Sequence, residues 1–131
     1  MERFNLILLV AFGGSIGAVS RYLLSSLIQD WILTSFPIGT LIINVLGCFL
    51  IGFFLKIQAA SSVTQQIWQT FIIIGFIGSF TTFSTFANDI YELFRNGKPY
   101  LGILYFLGSS ILGVTIIYIT VTYLNFFPHK K

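Results

Sequence analysis

Charge is what this 131-residue chain has least of: 8% of positions are charged, against roughly 25% in an ordinary soluble domain. Hydrophobic residues make up 56%, aromatics 18%, and the mean hydropathy is +0.91. So few charges cannot cover the surface of a soluble domain, which excludes a water-soluble enzyme and a disordered segment. Seven Lys and Arg outweigh four Asp and Glu to leave a net charge of +3, but they are scattered, with no run longer than Lys130-Lys131. They suit the flanks of membrane spans and not a nucleic-acid-binding patch. The single cysteine, Cys48, excludes an intramolecular disulfide and a thiol pair for metal or redox chemistry. The single histidine, His129, lies in the tail 128–131, so no His-centred catalytic or metal site is expected.

Long apolar runs are what the chain does have. About 20 mainly apolar residues cross a bilayer core, and segments 4–28, 38–55, 67–93 and 100–127 meet that requirement. The loops between them are too short for a second domain, so residues 1–131 are expected to form a single all-α, four-helix transmembrane domain. The first span resembles a signal sequence at its start, but its apolar character runs past Gly17-Ala18 to Leu27-Ile28, too long for a cleaved h-region, and it reads as a retained helix.

Four spans put Arg3, Lys56, Lys130 and Lys131 on one side and Arg95 and Lys98 on the other, joined by Arg21 if it reaches outward. Four against three is almost no positive-inside bias: either the chain inserts in both orientations and pairs as an antiparallel, dual-topology homodimer, which is the expectation, or it keeps one fixed topology on a weak signal. Small residues at Gly13, Gly14, Gly17 and Ala18, and again at Gly108, Ser109, Ser110 and Gly113, favour close helix packing in lipid.

The most unusual stretch, residues 75–86, crowds two glycines and five hydroxyl side chains into the middle of the third span. Gly75 and Gly78, followed by Ser and Thr, weaken a helix, and a break of the third helix at membrane depth is expected there; the alternative is a kinked packing helix whose hydroxyls bond back to their own turns. Such a break is tolerated where it is buried in protein or lines a cavity, and its freed carbonyls can hold a cation. Phe83 and Phe86 share a helix face beside Thr82 and Thr85, which places ring edges next to hydroxyl donors. Asn44 lies deep in the second span, and Tyr105, Ser109, Ser110 and Thr115 in the fourth. Asn44 reads either as interhelical glue or as a donor on a path, and the Phe pair either as packing or as path lining. No Asp or Glu occupies the middle of a span, the usual requirement for proton- or cation-coupled pumping. Arg21 either snorkels to the interface or lines an anion-attracting vestibule.

These residues carry a resemblance. Gly13-Gly14-x-x-Gly17-Ala18-x-x-Arg21-Tyr22, Gly39-Thr40-Leu41-x-x-Asn44-x-x-Gly47 and Gly75-Phe76-x-Gly78-x-x-Thr81-Thr82-Phe83-Ser84-Thr85-Phe86, in that order, resemble the Fluc (CrcB) family of small fluoride channels over essentially the whole chain. The resemblance implies an antiparallel homodimer with two pores and a structural sodium ion at the interface, held by the backbone carbonyls of Gly78 and Thr81. It implies Phe83 and Phe86 as pore aromatics, Asn44, Ser84, Thr85 and Ser109 as the polar track, and Arg21 in the vestibule region; Tyr105, one turn before Ser109, is added to the expected pore residues, and the choice between Ser109 and Ser110 stays open. The implied role is passive export of fluoride across the inner or plasma membrane, protecting the cell from fluoride toxicity. A dual-topology multidrug transporter and a non-transporting membrane assembly subunit are the alternatives.

Overall fold

The computed structural model describes residues 3–57 and 63–124. The loop 58–62, the tail residues Pro128, His129, Lys130 and Lys131, and the end of the fourth expected span at 125–127 lie outside the described residues. Among the described residues there are helices and no strand: α1 (Arg3–Ile32), α2 (Ile38–Ile57), α3 (Val63–Trp68), a π-helical segment (Gln69–Ile77), the single turn α4 (Gly78–Phe80), α5 (Phe83–Arg95) and α6 (Pro99–Tyr123). Four stretches are long and apolar enough to cross a membrane: Arg3–Ile32, Ile38–Ile57, Gln65–Arg95 and Pro99–Tyr123. The first three overrun the apolar runs of the sequence, because polar residues such as Gln29 and Asp30 end a hydrophobic stretch without ending a helix.

Each connection has a local cause. α1 stops where Leu33 turns into the left-handed region at φ 44°, and Gln29 then clamps the following loop. Its amide nitrogen donates to the carbonyls of Thr34 (2.6 Å) and Phe36 (3.2 Å), and its amide oxygen accepts the Gly39 N–H (3.3 Å) at the start of α2. α5 ends in a Schellman motif: Gly97, at φ 70°, donates to the Phe94 carbonyl and Lys98 to the Leu93 carbonyl. Pro99 then opens α6 at its first position, where its missing N–H has no consequence.

α1 packs on the π-helical segment and α2 on α6, with α5 also against α6. The first contact is backbone on backbone. A Cβ at Gly13 would strike the Phe71 carbonyl oxygen, and one at Gly17 the Phe76 carbonyl oxygen. The small residues expected to pack in the fourth span divide: a Cβ at Gly113 would press on the Cys48 sulfur, whereas one at Gly108 would meet nothing within 4 Å among the described residues. Ile43 and Ile77 are fully buried, and Phe86, Leu93 and Tyr105 form a second cluster covered by Phe36, Leu41, Ile90 and Leu101. Elsewhere large apolar side chains point outward along α1, α2 and α6, which suits a surface facing lipid or protein and not water.

Candidate functional site: a groove at an interrupted helix

The third span changes its hydrogen-bonding pattern four times. α-Helical to Trp68, it widens into the nine-residue π-helical segment, and the Gly78 N–H is shared between the Ile73 and Gly75 carbonyls. After α4, Thr81 (ψ 160°) and Thr82 (φ −149°, ψ 124°) are extended before α5 begins at Phe83. The local sequence supports each step. The Thr81 hydroxyl and N–H both donate to the Ile77 carbonyl, at 3.1 and 3.0 Å, closing the first half. Thr82 is the N-cap of α5: its hydroxyl oxygen accepts the Thr85 N–H at 3.2 Å and its O–H donates to the Thr85 hydroxyl at 3.0 Å.

The extended pair is held from outside its own helix. Asn44 on α2 accepts the Thr82 N–H through its side-chain oxygen (2.9 Å) and donates from its side-chain nitrogen to the Thr82 carbonyl (3.1 Å). Both ends of the amide therefore serve one residue of the interrupted backbone, and the second Asn44 N–H has no partner among the described residues. Gly47, one turn on, makes the approach possible, since a Cβ there would overlap the Thr81 methyl. Because the Thr82 N–H is committed to Asn44, the Gly78 carbonyl loses the donor that a continuing α-helix would bring to it. The Ser79 carbonyl is met instead by Nε of Arg21 on α1, at 3.2 Å.

Beside the interruption lies an open groove of about 300 Å³ lined by Asn44, Cys48, Ile51, Thr81, Thr82, Phe83, Phe86, Phe106, Ser109 and Ser110. None of these side chains carries a formal charge. The Phe83 and Phe86 rings lie 6.0 Å apart, with Phe83 78% exposed at the rim and Phe86 only 7% exposed and stacked on Phe106. Ser109 and Ser110 differ sharply: the Ser110 hydroxyl donates back to the Phe106 carbonyl (2.8 Å), whereas the buried Ser109 hydroxyl has no partner among the described residues. A buried hydroxyl without a partner is destabilising by itself, which leaves the Ser109 oxygen available to a water, a guest or a second copy.

Residues 8–121 match the model of a family described as CrcB-like protein, Camphor Resistance (CrcB). The chain belongs to the CrcB family. Within it, the chain is 41% identical over 117 residues to a protein of Chlorobium phaeobacteroides (strain BS1), a match covering 89% of this chain and 91% of the relative. It is 42% identical over 113 residues to one from Dehalococcoides mccartyi (strain BAV1), covering 86% and 87%. To one from Aquifex aeolicus (strain VF5) it is 38% identical over 105 residues, covering 80% and 85%. Each of the three is named "Fluoride-specific ion channel FluC". The CrcB family is thus one of ion channels and not of enzymes.

On this CrcB-family fold, Asn44, Thr81, Phe83, Phe86 and Ser109 gather on one groove. Ser84 is exposed and Thr85 half-buried, both just beyond it on α5. Tyr105 is not on the groove surface. It is 1% exposed in the core, with ring centroids 5.3 Å from Phe36 and 5.0 Å from Phe86, and its hydroxyl donates a long 3.4 Å bond to Asp89. Gly78 is exposed. Three groove residues escaped the sequence reading as site candidates: Cys48, one helical turn beyond Asn44, Phe106, three residues before Ser109, and Ile51. Helical spacing from Asn44 and Ser109 was the available signal for the first two.

Proposed function

We propose that the chain is a fluoride-selective channel that lets fluoride leave the cell passively, as an antiparallel dual-topology homodimer in the inner or plasma membrane. The single observation that carries this reading is the groove, with a free buried Ser109 hydroxyl, a spare Asn44 N–H and two phenylalanine rings, and without any charged side chain. Fluoride is small and strongly hydrated, so a narrow path must replace its water with closely spaced donors. A fixed positive charge at that point would hold the ion too tightly to conduct it. Neutral hydroxyls, an amide and the positive edges of aromatic rings supply donors without that trap. The groove is open on one side, and a second copy would enclose it, giving two equivalent pores per dimer.

The resident ion of this reading is sodium, at the interruption of the third span. The residues fit it: the Gly78 carbonyl lacks its helical donor, and a Cβ on Gly78 would meet only the Ile73 carbonyl oxygen, at 3.5 Å, so its surroundings are open. With the Thr81 carbonyl, one chain offers two neutral oxygens, and a second copy would complete four ligands for a hard monovalent cation. Bound there, sodium would supply a fixed charge that ties the two copies together.

Purified protein in liposomes tests both statements. Fluoride efflux is expected, chloride efflux is not, and replacing sodium with a bulky organic cation is expected to slow fluoride. Absence of fluoride efflux from liposomes containing well-folded protein overturns the channel reading; equal efflux with sodium rigorously absent overturns the sodium site alone.

A further inference from the structure

Arg21 reaches the interruption, and its contact is with backbone. Thr81 and Thr82 are extended, so the chain carries the Phe83 N–H, the regular partner of the Ser79 carbonyl, away from it. Arg21 Nε occupies that acceptor at 3.2 Å in a part-buried position. α1 is shaped for this reach. Long side chains on a helix lean toward its N-terminus, and the positions four and seven residues before Arg21 are Gly17 and Gly14, which present no side chain on that face. At Gly14 the neighbouring atom is the Ser79 hydroxyl itself. Three consecutive carbonyls just before the extended pair thus have different fates: Ile77, the last residue of the π-helical segment, is bonded twice by Thr81, Gly78 is left without its helical donor, and Ser79 is taken by Arg21.

We propose that Arg21 is a positioning residue that takes the Ser79 carbonyl out of the set of oxygens at the interruption, so that Gly78 and Thr81 are the pair presented to a cation. The role depends on an N–H held at the Nε position and not on positive charge alone; lysine has a carbon at that position and its ammonium one bond further out, so it does not present a donor at the same place. The proposal rests on the sodium site described above for its functional consequence, but the Arg21–Ser79 bond itself is testable without it.

The chain contains three arginines, Arg3, Arg21 and Arg95, of which Arg3 and Arg95 are exposed. In the 15N spectrum of arginine-labelled wild-type protein in bicelles, one Nε–H signal is expected to exchange with water at least ten-fold more slowly than the other two, and to vanish in Arg21→Lys. Three equally fast signals in the wild type overturn the proposal, whether or not any variant folds. In Arg21→Lys, amide exchange over residues 79–86 is expected to rise at least ten-fold, and the sodium concentration for half-maximal fluoride efflux at least three-fold. If Arg21→Lys keeps wild-type exchange and sodium dependence while Arg21→Gln slows efflux only at low ionic strength, Arg21 acts through its charge and the proposal is wrong. If wild-type efflux is independent of sodium, the sodium site fails, and the Nε–H signal and amide exchange still decide the role of Arg21.

Discussion

Ser109 and Ser110 are adjacent, chemically identical and both on the groove, yet only one hydroxyl is free. Ser109→Ala removes the unpartnered group, and Ser110→Ala removes one already bonded to its own helix. A hydrogen bond to a charged partner is worth about 1.5–3 kcal/mol, so Ser109→Ala is expected to lower fluoride flux by roughly ten-fold or more, with Ser110→Ala within about two-fold of wild type. Flux measurements at equal reconstituted protein check the order, and reversal of it removes Ser109 from the path. The two phenylalanines separate in the same way. Phe83, 78% exposed in the isolated subunit, contributes little to the subunit's own packing, so Phe83→Ile is expected to cut flux without lowering thermal stability. Phe86, 7% exposed and packed on Tyr105 and Phe106, is expected in Phe86→Ile to lose both flux and about 1 kcal/mol or more of stability. Undiminished flux in the double variant would return both rings to packing alone. The residues that line the groove were in part legible from sequence, because Asn44 is an isolated amide within an apolar span and residues 79–85 crowd five hydroxyls into a short stretch. Which hydroxyl was free was not legible, since that depends on whether each oxygen turns back to its own helix.

At the scale of elements, hydropathy located all four spans, because an apolar run of about 20 residues has few alternatives in lipid. It could not show the π-helical segment Gln69–Ile77, whose wider turn leaves no mark on an almost uniformly apolar stretch. Nor could it show the ends of α1, where Gln29 serves the loop with its side chain while remaining helical in its backbone. The small-residue patterns were half-informative, as glycine spacing says that a close approach is permitted and not that it occurs. Gly17 and Gly108 make the contrast measurable. A methyl at Gly17 meets the Phe76 carbonyl, so Gly17→Ala is expected to destabilise the α1 contact by about 1–3 kcal/mol, whereas Gly108→Ala meets nothing within the subunit and is expected to leave its melting temperature unchanged. Thermal unfolding in detergent distinguishes them, and equal destabilisation would place Gly108 against a second copy.

The whole molecule is poor in orientation signals, with Lys and Arg divided four against three between its two sides when Arg21 is counted outward. Adding two or three lysines beside Lys56 is expected to force a single orientation and to abolish activity unless an oppositely biased copy is co-expressed. Full activity from a uniformly oriented population, read by one-sided labelling of the termini, would rule out the antiparallel arrangement. One further consequence concerns time. Arg21 and Asn44, the two side chains that grip the interrupted third span, both precede it in the chain. During synthesis both have already been made when residues 78–82 emerge, so the segment does not depend on a gripping residue still to be translated. Moving the third span ahead of the first two by circular permutation would reverse that schedule. The nascent segment would then have only its own helix to satisfy its backbone, and would be expected to enter the membrane as an uninterrupted rod.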